Sequence, residues 1–296
     1  MFVLLAGHLA PLVLHRAPGT VPRIILITDW RLIKTFGPGS EHLFGEPLQI
    51  LETVDSTNRY ALAWAEAPHG AAVVALAQTG GRGRLGRSWN SPPDRGLYLS
   101  VVLRSFSDAQ LSRLSLVIAL ATAGAASELS GLRVGTKWPN DIVAQDSHGE
   151  YRKIGGILCE ARAETAAPEP GAAAGRRVVA GIGLNLTHRP EDLPERPVFP
   201  ASSLCLLSGR EIPALEALPV VLAHLERQLA ALEAGEWSRL RAEFTALCAG
   251  MGEVGTVRLG QDTVYGLLRE IDDEGALVLA TADGPRRILA GDVALI

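Results

Sequence analysis

The stretch Gly81-Arg82-Gly83-Arg84-Leu85-Gly86-Arg87-Ser88-Trp89 puts three arginines and three glycines into nine consecutive positions. Glycine reaches φ > 0 and lets backbone N–H groups approach a ligand closely. Guanidinium groups add forked, permanently charged donors that match carboxylate or phosphate oxygens. Upstream, Ala71 to Gln78 is an apolar run that reads as a strand, and downstream Gly96 to Leu103 reads as another. The loop is therefore held at both ends by buried strands, the setting of a segment that closes over an anion. A Gly/Arg nucleic-acid tether repeats and lacks apolar flanks; this stretch occurs once.

Working outward, Leu48 to Val54 is a strand candidate. Asp55-Ser56-Thr57-Asn58 then leads into a helix expected over Arg59 to Glu66, with Ser and Thr as good N-cap residues. Gln110 to Leu129 is apolar, rich in alanine and free of proline, which predicts a buried helix lying on a sheet. Short strands are expected at Arg133 to Trp138, Asp141 to Gln145, Lys153 to Arg162 and Arg177 to Leu186. Ala163 to Gly175 has no periodicity and reads as a surface loop. Leu218, Leu222, Leu225, Leu229 and Leu232 recur at helical spacing, and a break near Gly235-Glu236-Trp237 predicts two packed helices between Ile212 and Ala249. The fold class is α/β (α+β), a mixed sheet flanked by helices.

From Gly252 the pattern changes to alternating runs at Val254 to Leu259, Thr263 to Asp272, Ala276 to Ala280 and Arg286 to Ile296. These predict a small β-barrel of four or five strands. Before Gly45, Pro11, Pro18, Pro22 and Pro38 interrupt any regular element except a short strand at Arg23 to Thr28. Three segments follow: an irregular extension over 1–45, a larger domain over 46–250 and a small barrel over 251–296.

A chain of 296 residues with 47% hydrophobic and 20% charged residues can bury a substantial core. The formal net charge of -4 disfavours wholesale binding to a nucleic-acid backbone, so a local cationic loop points to a small anionic ligand. Cys159, Cys205 and Cys248 are widely spaced, with no CxxC pair, and read as reduced packing residues of a cytoplasmic protein. Met1 to Leu14 is apolar, but no lysine or arginine precedes the apolar run and no membrane-length segment follows; neither secretion nor membrane insertion is expected.

Four further segments carry unusual chemistry: Asp55-Ser56-Thr57-Asn58, Lys137-Trp138-Pro139-Asn140-Asp141, Lys153-Ile154-Gly155-Gly156-Ile157-Leu158 and Gly181-Ile182-Gly183-Leu184-Asn185. Taken singly, each has a bland explanation as a helix cap, a turn, a strand start or tight strand packing. Together and in this order they resemble the biotin protein ligases, whose catalytic domain carries GRGRxGRxW, KWPND, K-x-x-G-I-L and GxGxN. The resemblance spans Leu48 to Ile296. It implies a catalytic fold similar to that of class II aminoacyl-tRNA synthetases, capped by an SH3-like barrel. The implied reaction activates biotin with ATP as biotinyl-5′-AMP and transfers it to a lysine of a biotin carboxyl carrier protein or domain.

The resemblance also implies roles. Arg82, Gly83 and Arg84 would sit over the ligand, Arg84 holding the adenylate phosphate, and Lys153 would meet the carboxylate and α-phosphate oxygens. Ser56, Thr57 and Gln78 match positions around the biotin ureido group, and Asn58 belongs to the same segment as Ser56 and Thr57. Trp89 and Asn185 match nucleotide contacts, with Trp89 or Trp138 walling the site or packing beneath it. Asn140 and Asp141 match polar groups near the adenylate and metal, and Lys137 would neutralise phosphate. Gly81, Arg87 and Gly156 fall within the same motifs. No protein cage for a metal is visible, so Mg²⁺ is expected to arrive with ATP.

Family members form homodimers, though monomers occur; this sequence chooses neither. Met1 to Gly45 offers no helix-turn-helix pattern, so a ligase without DNA-repressor function is expected. The alternatives are a lipoate or octanoate ligase, which would not be expected to combine GRGRxGRxW with KWPND, a nucleic-acid binder, and a sensor that has lost catalysis.

Overall fold

The computed structural model describes residues 13–14, 24–26, 44–163, 176–194 and 199–295. Most of the expected extension, including the segment tested for a helix-turn-helix, and the loop over 164–175 lie outside the described residues. Two sheets organise the rest.

The larger sheet has nine strands: β1 (Val13–Leu14), β2 (Ile24–Leu26), β3 (Leu48–Val54), β4 (Ala72–Gln78), β5 (Gly96–Phe106), β6 (Val134–Lys137), β7 (Asp141–Gln145), β8 (Tyr151–Ala163) and β9 (Arg176–Asn185). Their spatial order is β1-β2-β3-β4-β5-β9-β8-β7-β6, with β3 and β4 parallel and every other neighbour antiparallel. The parallel pair is joined through helix α1 (Thr57–Ala63), as a parallel connection requires a crossover.

The sheet faces differ because strand side chains alternate. On one face Leu97, Leu99, Val101 and Leu103 of β5 pack with the main core, together with α2 (Asp108–Ser130) and α4 (Ala214–Glu233). Helix α2 opens on a capping box between Ser107 and Gln110, which satisfies two backbone donors that the first turn would leave unpaired. The other face carries α1 over a smaller cluster of Leu51, Val54, Ala61, Val73, Ala75, Val102 and Val179. Beyond α1 that face is left for something other than packing.

Helix α3 (Leu204–Ser208) was not expected from the sequence, while the predicted break after α4 gives α5 (Trp237–Leu247). The smaller sheet contains β10 (Val254–Leu259), β11 (Asp262–Ile271), β12 (Leu277–Thr281), β13 (Gly284–Ile288) and β14 (Asp292–Leu295), all antiparallel in the order β13-β12-β11-β10-β14. The run expected over Arg286 to Ile296 is two strands, divided at Leu289-Ala290-Gly291. The small sheet is tied to the large one by Trp138, whose buried indole donates to the Gly275 carbonyl at 3.1 Å, and by Lys137, which donates to the Val293 carbonyl at 3.1 Å.

Candidate functional site

The uncovered face of β5, β8 and β9 forms the floor of a cleft. Register places Asp141, Gly156, Gly183 and Tyr98 in one row across β7, β8, β9 and β5, and Leu158, Gly181 and Ser100 in the next row on the same face. Glycine at 181 and 183 is required by what lies above. A Cβ at Gly183 would stand 2.6 Å from Trp89 Nε1, and one at Gly181 2.3 Å from Asn58 Oδ1. The cleft is open at its mouth and holds about 730 Å³ free of protein atoms, solvent included.

One end of the floor is polar and buried. Gln78 Oε1 accepts from the Thr57 backbone N–H at 2.9 Å, while Gln78 Nε2 donates to Ser91 Oγ at 2.9 Å. Ser100, fully buried in β5, places its Oγ 2.8 Å from Thr57 Oγ1 and 2.6 Å from Asn58 Oδ1. Asn58 Nδ2 donates to the Leu158 carbonyl at 3.1 Å and to Glu160 Oε2 at 2.8 Å. These side chains have work other than capping: Ser56 is the N-cap by backbone geometry, yet its side chain makes no capping bond, and Thr57 and Asn58 already belong to α1.

The other end is cationic. A β-bulge between β7 and β8 pairs Ile142 with Gly155 but Val143 with Lys153, leaving Ile154 as the extra residue. That extra residue turns Lys153 onto the same side as Gly156, three positions away, which simple alternation would forbid. Lys153 Nζ lies 2.5 Å from Asp141 Oδ1, and Lys137 Nζ lies 3.4 Å from Asp141 Oδ2. Burial pushes the Asp141 carboxyl upward, but the Lys153 and Lys137 ammoniums outweigh it and hold the pKa below the ordinary range.

The Gly/Arg loop roofs the cleft. Its neck closes through Trp89 N–H to Gly81 O at 2.9 Å and Gly83 N–H to Arg87 O at 2.7 Å, and its tip turns through Leu85 and Gly86 at positive φ. Gly81 has no room for a side chain, because a Cβ would meet Trp89 O at 2.4 Å. Each arginine reaches a different element. Arg82 pairs with Glu160 on β8, Arg84 donates to Asn140 Oδ1 at 2.8 Å, and Arg87 pairs with Asp292 on β14. Desolvation lowers the Arg84 pKa against the pull of Asp292 and Asp141, and its guanidinium remains a cation.

Of the residues singled out from the sequence, Ser56, Thr57, Asn58, Gln78, Arg82, Gly83, Arg84, Arg87, Trp89, Asn140, Asp141, Lys153 and Gly156 line this cleft. Lys137 and Gly81 stand behind it, one holding Asp141 and β14, the other shaping the loop neck. Trp138 belongs to the core. Asn185 lines a smaller adjoining cavity with Trp89, Lys153 and His188, and its amide donates to the Ser202 carbonyl at 2.9 Å. Trp89 therefore borders both spaces, with its indole beside Lys153 Nζ at 5.6 Å from the ring centroid. Ser91, Ser100, Glu160 and Asp292 were missed. Only Ser100 had a signal of its own, as a lone small polar residue within Leu97-Tyr98-Leu99-Ser100-Val101-Val102-Leu103.

Fold and cleft define an α/β domain with a cleft between a polar floor and a cationic roof. Residues 50–169 match the Biotin/lipoate A/B protein ligase family, and residues 256–295 match the Biotin protein ligase C terminal domain. The Bifunctional ligase/repressor BirA of Bacillus subtilis is 31% identical, over 90% of this chain and 82% of that protein. The biotin–[acetyl-CoA-carboxylase] ligase of Paracoccus denitrificans is 32% identical, over 82% of this chain and 98% of its own length. Among solved structures, the biotin protein ligase from Aquifex aeolicus in complex with biotin and ATP superposes with a TM-score of 0.68 at 28% identity, covering 84% of this chain and 98% of that one. The chain belongs to the biotin/lipoate A/B protein ligase family.

Proposed function

We infer that the chain is an ATP-dependent biotin protein ligase. The observation that carries this reading is the convergence of Lys153 and Arg84 on one cleft whose far end is a buried polar floor. The biotin carboxylate attacks the α-phosphorus of ATP, forming biotinyl-5′-AMP and releasing pyrophosphate. The amine of an acceptor lysine then attacks the acyl carbon of this mixed anhydride, loses a proton, and AMP leaves. The first step brings two anions together, so fixed cations aimed at the reacting oxygens lower its barrier.

We assign Lys153 and Arg84 to the phosphate and carboxylate oxygens, with Asn140 and Asp141 orienting them. The ureido head belongs at Thr57, Asn58 and Gln78 beside Ser56, where an unmatched polar group would be costly. The nucleoside belongs in the smaller cavity at Asn185 and Trp89. Among the described residues no three His, Cys, Asp or Glu side chains converge as a metal site, and Asp141 and Asp292 are engaged by lysines and an arginine. The cleft carboxylates thus do not fit a resident metal, and Mg²⁺ belongs with the nucleotide phosphates. We divide the chain at 46–250 for catalysis and 251–296 for the capping unit.

The acceptor is a biotin carrier domain, and the enzyme works in the cytoplasm, where ATP is supplied. Among the described residues no helix is long and apolar enough to cross a membrane. The test is mass spectrometry of a carrier domain incubated with the enzyme, ATP, Mg²⁺ and biotin. One biotin on one lysine is expected; absence of that adduct, or equal use of lipoate in competition, overturns the reading.

A further inference from the structure

Glu160 is a carboxylate beside the anion-binding cleft, and like the cleft's own Asp141 and Asp292 it has its charge met by a cation. It stands two residues beyond Leu158 on the cleft face of β8, and no sequence motif contains it. One oxygen accepts from Asn58 Nδ2 at 2.8 Å, and the other receives Arg82 of the loop. Asn58 in turn meets Ser100, Ser100 meets Thr57, and Thr57 meets Gln78. A hydrogen-bonded chain thus runs without a break from the polar floor to the loop that roofs it.

We propose that Glu160 is a positioning residue that latches the Gly81–Trp89 loop over the cleft through Arg82 and ties closure to the floor residues that face the ligand. An arginine neutralised by its own carboxylate adds little charge to the ligand's phosphate, so Arg82 serves as the latch, while Arg84, bonded to the neutral Asn140, and Lys153, which shares the single charge of Asp141 with Lys137, meet the anion. The proposal rests on the biotin-ligase reading for the identity of the ligand, and on the structure alone for the latch.

Glu160→Gln keeps an acceptor for Asn58 and removes the charge facing Arg82. The two side chains are 41% and 27% exposed, so solvent screening reduces the pair to a modest effect. The expected readout is a rise of about fivefold in tryptic cleavage at the Arg84–Leu85 bond of the ligand-free full chain, equivalent to ~1 kcal/mol. The KM for biotin rises by a similar factor, with a smaller change in kcat. Arg82→Ala reproduces the faster cleavage, and the double variant adds nothing further, because both substitutions break one contact. Unchanged cleavage in either single variant, or additive effects in the double, overturns the latch; Arg82→Ala decides the matter alone if Glu160→Gln fails to fold. Cleavage is read without ligand, so its failure condemns only the latch, whereas a wild-type loop that biotin does not protect counts against the ligase reading.

Discussion

Replacing Asp141 by asparagine removes one negative charge from between two ammoniums and barely changes shape. None of the three side chains is more than 16% exposed, so solvent compensates little. At an effective dielectric of about 20 the longer contact alone is worth ~5 kcal/mol, set against several kcal/mol for desolvating each ion. Removing the shared partner leaves Lys137 and Lys153 uncompensated and facing each other, a loss of about 3–5 kcal/mol. At roughly 2 °C per kcal/mol for a chain of this size, the melting temperature at pH 7 falls by about 6–10 °C.

Acid supplies a second signature. Because the folded-state pKa of Asp141 is depressed, its contribution is fully present above the unfolded value near 3.8 and disappears as pH falls through the folded value. The asparagine variant has no such contribution to lose, so the gap between the two melting temperatures narrows as pH falls below about 4. Calorimetry of both proteins from pH 3 to pH 8 checks this. A variant that melts within about 2 °C of wild type at pH 7, or a gap that persists unchanged in acid, refutes the reasoning.

Three further outcomes are expected. Lys153→Ala folds, because Lys137 still accompanies Asp141, but loses biotin-dependent pyrophosphate release by roughly a hundredfold or more; near-normal release removes Lys153 from the reacting centre. Arg84→Gly lets activated biotin escape, read as labelling of bystander lysines by mass spectrometry, and unchanged carrier selectivity counts against its role. Gly183→Ala drives a methyl group into the Trp89 indole and reduces adenylation by roughly tenfold, whereas full activity would make the indole's position incidental.

Much of the fold was legible because local patterns report local geometry. The short apolar-rich run of Leu48 to Val54, bounded by Pro47 and Asp55-Ser56, and the proline-free apolar run around Val117 to Ala126 identify their elements without any partner. Helix α3 escaped notice because five residues are too few for a period, and the split between β13 and β14 because Leu289 and Ala290 continue an apolar run with no Asn, Asp or Pro to mark the turn. The loop was recognisable from its glycines and arginines, but its contacts were not, since Arg82 meets a residue 78 positions away and Arg87 one 205 positions away.

The chain's own order of residues decided which chemical groups are present, where its main helices and strands fall, and that a cationic loop joins β4 to β5. Only tertiary structure decided which groups work together. A single extra residue at Ile154 brings Lys153 to the cleft side of β8, and strand register sets Glu160 and Ser100 beneath α1 while Lys137 is drawn back toward β14. Side-chain direction in a sheet changes with every residue of slip, and pairing between distant strands is settled by packing the whole core rather than by any short stretch of sequence.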